Sequence, residues 1–143
     1  MRESGVPYAP IWRLIGTLKL MVDCLLIESN PAKRERLALL LAELGFDCAQ
    51  REKAEEAILY CHQQAPAMVM MEASAHPSTS EFLKKIRVQR QGSKQPIIIL
   101  YSDSPDVDAV VQSIHDGAAE FLARPFDRDL LKFKLEQAGV LKH

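Results

Sequence analysis

Apolar and polar residues follow two rhythms along this chain. Short, nearly unbroken apolar runs ("DCLLIE", "FDCAQ", "MVMM", "PIIILY", "AEFLA") alternate with longer stretches in which apolar residues return every three or four positions. The runs predict strands and the stretches predict amphipathic helices. Asn30 and Pro31 offer a cap and a first position for a helix whose face is Leu37, Leu40, Leu41 and Leu44, with Gly45 as its left-handed stop. Ala54, Ala57, Ile58 and Cys61 mark the second helix, which ends before Pro66. Ser78 and Glu81 form a capping box for the third, with Phe82, Leu83 and Ile86 inward. Ser104 and Pro105 open a fourth helix with Val107, Val110, Val111 and Ile114 on one face and Gly117 at its end. Asp127 caps a fifth that carries Leu130, Leu131 and Leu135 and closes at Gly139.

Strands that are apolar throughout are buried on both faces, which predicts a parallel sheet between two helical layers. Five strand–helix units predict a (βα)5 doubly wound α/β sheet, with strand order 2-1-3-4-5. A length of 143 residues is most simply one domain, over residues 23–141, preceded by an extension, residues 1–22. The extension places Ile11, Leu14, Ile15, Leu18 and Val22 at helical spacing. It reads either as a loosely held terminus or as a short partner-binding or dimerising helix. Arg13 and Lys19 interrupt its apolar part, so it does not read as a secretory signal.

Composition narrows the function classes. A net charge of −1 offers no basic excess for a phosphate backbone, so no nucleic-acid partner is expected. No stretch of about 18 apolar residues is present, and no membrane partner is expected. Cys24, Cys48 and Cys61 are odd in number and lack C-x-x-C spacing, which suggests buried thiols in a reducing compartment, the cytoplasm, and neither a disulfide frame nor a zinc site. No phosphate-binding Gly-rich loop, Ser-His-Asp order or zinc pattern stands in the chain, so no enzymatic chemistry of its own is expected.

Chemistry in an open parallel sheet gathers where strands end, at the switch point. The first strand delivers Glu28, Ser29 and Asn30, the third Glu72, the fourth Ser102 and Asp103, and the fifth Arg124 followed by Pro125. A run such as "MVMME" that stops on a carboxylate needs a partner for the charge, because a buried unpaired charge is costly.

The motifs "LLIESNP", "VMMEAS", "ILYSD" and "GAAEFLARPF" together resemble the receiver domain of bacterial two-component response regulators, in a single-domain, chemotaxis-regulator-like layout. The resemblance covers residues 23–141 and implies the flavodoxin-like receiver fold. It implies a cis peptide at Arg124–Pro125. It also implies roles by position: Glu72 at the phosphoacceptor, Glu28 and Ser29 at the acidic metal pair, Ser102 and Phe121 as the switch pair, and Arg124 at the strand-five cation.

Three of these positions depart from the family pattern. Glu72 replaces an aspartate, Ser29 replaces one acid of the pair, and Arg124 replaces a lysine, while Pro77 lies one residue further from Glu72 than the family's loop has it. Phosphoryl transfer depends on positioning and charge neutralisation by a cation. Mg²⁺ seeks one or two carboxylates plus waters, and Ser29 removes one. The extra methylene of Glu72 moves its carboxylate by about 1.5 Å, a carbon–carbon bond length, and a misplacement of about 1 Å costs on the order of a hundredfold in rate. The expectation is an atypical stand-alone receiver, not phosphorylated in the usual Mg²⁺-dependent way, with no cofactor or at most weak Mg²⁺ held by Glu28 and Glu72. The alternatives are a receiver phosphorylated at Glu72 and a purely structural dimerisation domain.

Arg124, a planar fork, is expected to grip Glu72 bidentately with Ser102 close by. Such a pair would bias Ser102 and Phe121 toward an active-like arrangement or lock the site inactive, or it is simply a satisfied ion pair in a site that no longer switches. His76 is expected to face solvent in the loop after Glu72, and His62 and His115 to sit late in helices, where imidazole suits the dipole. Asp103 and Asp106 read as electrostatic residues around the fourth helix, and Lys84, Lys85, Arg87 and Arg90 as a solvated face. Expected partners are a histidine kinase or downstream regulator, or a second copy. The resemblance places that contact on helix four, strand five and helix five, with Val110, Asp116, Glu120, Arg128, Lys132 and Lys134.

Overall fold

The computed structural model describes residues 21–89 and 95–141. The order along the chain is β1 (Val22–Ile27), α1 (Pro31–Glu43), β2 (Phe46–Arg51), α2 (Ala54–Gln63), β3 (Met68–Glu72), a 3₁₀ turn (Ala73–Ala75), α3 (Thr79–Gln89), β4 (Ile97–Ser102), α4 (Val107–His115), β5 (Glu120–Ala123) and α5 (Arg128–Ala138). All strand pairs are parallel and the sheet order is β2-β1-β3-β4-β5, as the alternation of patterns predicts.

Successive strand residues face opposite sides, so the central strands feed two cores. Cys24, Leu26, Met68, Met70, Ile99 and Tyr101 meet Leu37 and Leu41 of α1 and Leu131 and Leu135 of α5. Leu25, Ile27, Val69, Met71, Ile98 and Leu100 meet Ala54, Ala57 and Cys61 of α2 and Phe82, Leu83 and Ile86 of α3. Each fully buried leucine of these layers contributes on the order of 2 kcal/mol by area removed from water.

The helix boundaries follow local chemistry. Asn30 Oδ1 accepts from Lys33 N at 2.9 Å, and Pro31 takes the first turn of α1. Ser78 Oγ accepts from Glu81 N at 3.2 Å ahead of α3, and Asp127 Oδ1 accepts from Leu130 N at 2.8 Å ahead of α5. Gly117 follows α4 with φ of +118°, a left-handed conformation that side chains rarely adopt. Arg87 of α3 lies directly over it, where a Cβ would fall 1.5 Å from Nη2.

Four expectations need correction. Val22 belongs to β1, paired with Phe46, and not to the extension; the rest of the extension's pattern, Ile11 to Leu18, lies outside the described residues, as does Arg90. α4 begins at Val107, two residues after Pro105, and three of the four residues expected on its inner face turn outward: Val107 is 74% and Val111 63% exposed, and Ile114 is exposed too, while Val110 is half-buried. The buried residue of α4 is Ser113, whose hydroxyl donates to the Val110 carbonyl at 2.8 Å. A small, locally satisfied side chain packs inward without orphaning its polar atom. Leu130 is exposed on α5, outside the Leu131–Leu135 seam. His76 is buried: its Nδ1 accepts from Ser78 N at 3.0 Å, and its ring stands 6.0 Å from that of Phe82.

Candidate functional site

The polar residues at the carboxyl end of the sheet are brought together, but around Glu28. This carboxylate directly follows β1 and is 3% exposed. Its Oε1 accepts from the Tyr101 hydroxyl at 3.0 Å and from Arg124 Nη1 at 2.9 Å. Its Oε2 accepts from Asn30 N at 3.1 Å. Even its backbone carbonyl is taken, by Arg34 Nη1 at 2.7 Å. A buried carboxylate is tolerated only when paired and hydrogen-bonded, and here both conditions are met.

Arg124 supplies the pairing. It follows β5 directly, and its backbone N–H donates to the Ser102 carbonyl at 2.8 Å, which anchors the start of the loop. The Arg124–Pro125 peptide is cis, as the resemblance implies. From there the guanidinium lies over the Tyr101 ring, 4.9 Å from its centroid, a favourable placement for a cation. It donates through Nε to Asp103 Oδ1 at 2.6 Å and through Nη2 to Asp103 Oδ2 at 3.2 Å. Lys33 Nζ of α1 reaches the same Asp103 oxygen at 3.3 Å. One cation thus bridges Glu28 behind β1 and Asp103 behind β4.

The electrostatics follow. Hydrogen bonding from Arg124, joined by Lys33, lowers the Asp103 carboxyl to about 2. Its bonds to Asp103 and then to Glu28 push the Arg124 guanidinium still higher than usual. Burial, followed by the negative charge of Glu28, raises the Tyr101 phenol well above its ordinary value.

The expected Glu72–Arg124 pair is therefore replaced by Glu28–Arg124–Asp103. Glu72 ends β3 and caps the 3₁₀ turn that follows it: its Oε2 accepts from Ser74 N at 3.2 Å and its Oε1 from the Ser74 hydroxyl. The reason is local. A glutamate two residues before a serine closes a short local turn at little entropic cost, whereas Arg124 has two other carboxylates in reach. Ser102 Oγ accepts from Ser104 N at 3.3 Å. Ser102 is on the sheet face opposite Tyr101, the face on which Phe121 packs. Ser29 is exposed beside Glu28. Among the described residues, no group of three or more His, Cys, Asp or Glu side chains is placed to hold a metal ion.

Tyr101 was not predicted as a site residue. The signal was present: a tyrosine ending an Ile-Ile-Ile-Leu strand must find a partner for its hydroxyl, and the acid behind β1 is the partner available.

Residues 24–136 match the family model described as the response regulator receiver domain. Among curated proteins, the chain is 27% identical over 115 residues to the transcriptional regulatory protein AfsQ1 of Streptomyces coelicolor, covering 80% of this chain and 50% of that protein. It is 27% identical over 113 residues to the response regulator Rre1 of Synechocystis, covering 78% of this chain and 48% of that protein. The chain spans about half the length of these relatives. Its fold is shared with the receiver domain of a sensor histidine kinase from Pseudomonas aeruginosa, crystallised with a magnesium ion in its active site cleft. That likeness has a TM-score of 0.68 at 21% identity and covers 82% of this chain and 98% of that one. The strand order, the polar strand ends and the family match agree, and the chain belongs to the response regulator receiver domain family of two-component signalling.

Proposed function

We propose that this receiver is an atypical one that signals through protein–protein contacts in the cytoplasm, without Mg²⁺-dependent phosphorylation at Glu72 and without catalytic turnover. The observation that carries the reading is the Glu28–Arg124 bond at 2.9 Å. In the family, the acids behind strand one hold Mg²⁺. Here the remaining acid has both oxygens engaged, one of them by a guanidinium, and its neighbour is Ser29. Mg²⁺ requires near-octahedral oxygen ligation by carboxylates and waters. A fixed cation beside a single, fully engaged carboxylate does not fit that requirement, and no step is derived through the metal. Glu72, engaged with Ser74, is likewise not presented as a free acceptor.

Partners of the expected kinds, a histidine kinase or downstream regulator, or a second copy, are supported by the outward apolar side chains of Val107, Val111 and Ile114 on α4 and Phe133 on α5. Exposed large apolar side chains grouped on one helix face, as on α4, suit a contact surface. Lys134 of α5 and Glu120 of β5 pair at 3.2 Å. Nucleic acid is not among the proposed partners, because the net charge of −1 supplies no electrostatic footprint.

The test is intact-mass spectrometry after incubation with acetyl phosphate and MgCl₂. The expected result is no phosphoryl adduct on the natural chain and an adduct on the Ser29→Asp, Glu72→Asp, Arg124→Lys triple variant. A metal-dependent adduct on Glu72 of the natural chain would overturn the reading.

A further inference from the structure

The geometry points to a binding site for a small monoanion with an apolar body, in the cavity between α1 and the loop joining β5 to α5. The cavity measures about 400 Å³, within the range of small-molecule sites. Its walls are Leu37 and Leu40 from α1 and Pro125 and Phe126 from the loop. Apolar walls alone would admit any greasy group, but the rim is charged. Lys33, Arg36 and Arg124 line it together with Asp103.

Charge counting sets the ligand class. Arg124 also serves Glu28, so three cations face two carboxylates, and one positive charge is left over. Arg36 makes no ion pair among the described residues and is exposed. The two carboxylates are held unequally. Glu28 is buried and fixed by Tyr101 and Asn30 as well as Arg124. The Asp103 side chain is 54% exposed and is held by Lys33 and Arg124. An incoming carboxylate or sulfonate therefore competes with Asp103 for Lys33 and Arg124, gains Arg36, and leaves Glu28 in place. Its apolar body enters between Leu40 and Phe126. Ligand binding and the freeing of Asp103, behind β4, are then one event. The site does not involve Glu72, so its failure would leave the function proposed above standing.

The experiment is a two-dimensional amide NMR titration of the full chain with naphthalene-2-sulfonate, in metal-free buffer. Sodium sulfate and 2-naphthol serve as the charge-only and body-only controls. Saturable shifts at Lys33, Leu40, Asp103 and Phe126 are expected, with half-saturation on the order of 1 mM for a ligand of this size. Each control should bind several-fold more weakly. Leu40→Trp, which fills the cavity, should abolish saturation, and Asp103→Asn, which removes the competitor, should tighten binding several-fold. Arg36→Glu, an exposed change that leaves the core alone, should weaken it if Leu40→Trp fails to give a folded spectrum. Shifts that do not saturate, equal binding of either control, or indifference to both cavity variants would overturn the proposal.

Discussion

Arg124 and Glu28 are bonded at 2.9 Å although they follow strands that are not neighbours. In the order β2-β1-β3-β4-β5, β3 and β4 lie between them. Three strand spacings amount to about 14 Å, so the bond needs a long arm on each side. The guanidinium of Arg124 supplies that arm, and it has enough donors left for Asp103.

This pairing predicts a strong energetic coupling. Arg124→Met should destabilise the fold by about 3–5 kcal/mol, because it strands a buried carboxylate. Glu28→Gln in the same chain should recover much of that loss. Urea denaturation of the four members of the cycle measures it, and a coupling energy near zero would show that the pair is incidental.

Tyr101→Phe tests the hydroxyl on the same oxygen. A hydrogen bond to a charged acceptor contributes about 1.5–3 kcal/mol. The alkaline limb adds a sign. Burial raises the Tyr101 phenol in the folded state, so its stabilisation is complete below the ordinary tyrosine value and is lost as pH rises beyond it. The natural chain should lose up to about 1.4 kcal/mol per pH unit more than Tyr101→Phe above about pH 10. Parallel stability curves for the two proteins would refute the assignment.

Asp103 gives the opposite limb. Its carboxyl is lowered to about 2 by Arg124 and Lys33, so the stability it contributes is present above the ordinary aspartate value and lost as pH falls toward 2. Because the group is exposed, the effect should be small and should shrink with added salt. Thermal melts of the natural chain and Asp103→Asn between pH 2 and 5, at low and high ionic strength, should differ most at low salt above pH 4. A difference unaffected by salt would contradict the exposed geometry.

Gly117 separates two kinds of strain. Gly117→Ala should destabilise through its φ of +118° and through collision with Arg87, together by about 1–3 kcal/mol. Adding Arg87→Ala should restore only the collision part. Gly139→Ala, with a φ of +84° and open space around its Cβ position, should show the conformational part alone, about 1 kcal/mol. Chemical denaturation that finds the two glycine variants equally costly would remove Arg87 from the account.

The strands, their order and the polar cluster at their ends were legible because apolar runs stop where the sheet stops. Which residues then bond was not. Topology brings Glu28, Glu72, Asp103 and Arg124 to one end of the sheet, but the swing of a long guanidinium depends on competing acceptors. Ser74, close in sequence to Glu72, removed that acid from the competition. The outward roll of α4 was hidden for a similar reason. Periodicity reports that Val107, Val111 and Ile114 share a face and is silent on which face the sheet covers, and Ser113 decided it.

Glu72 also has a mechanical meaning. The side chain that ends β3 is the clasp of the loop that follows it, capping the Ala73–Ala75 turn. Drawing that carboxylate away from Ser74 removes both of the bonds by which it holds the turn. The start of the β3–α3 loop is thus tied to where one carboxylate points.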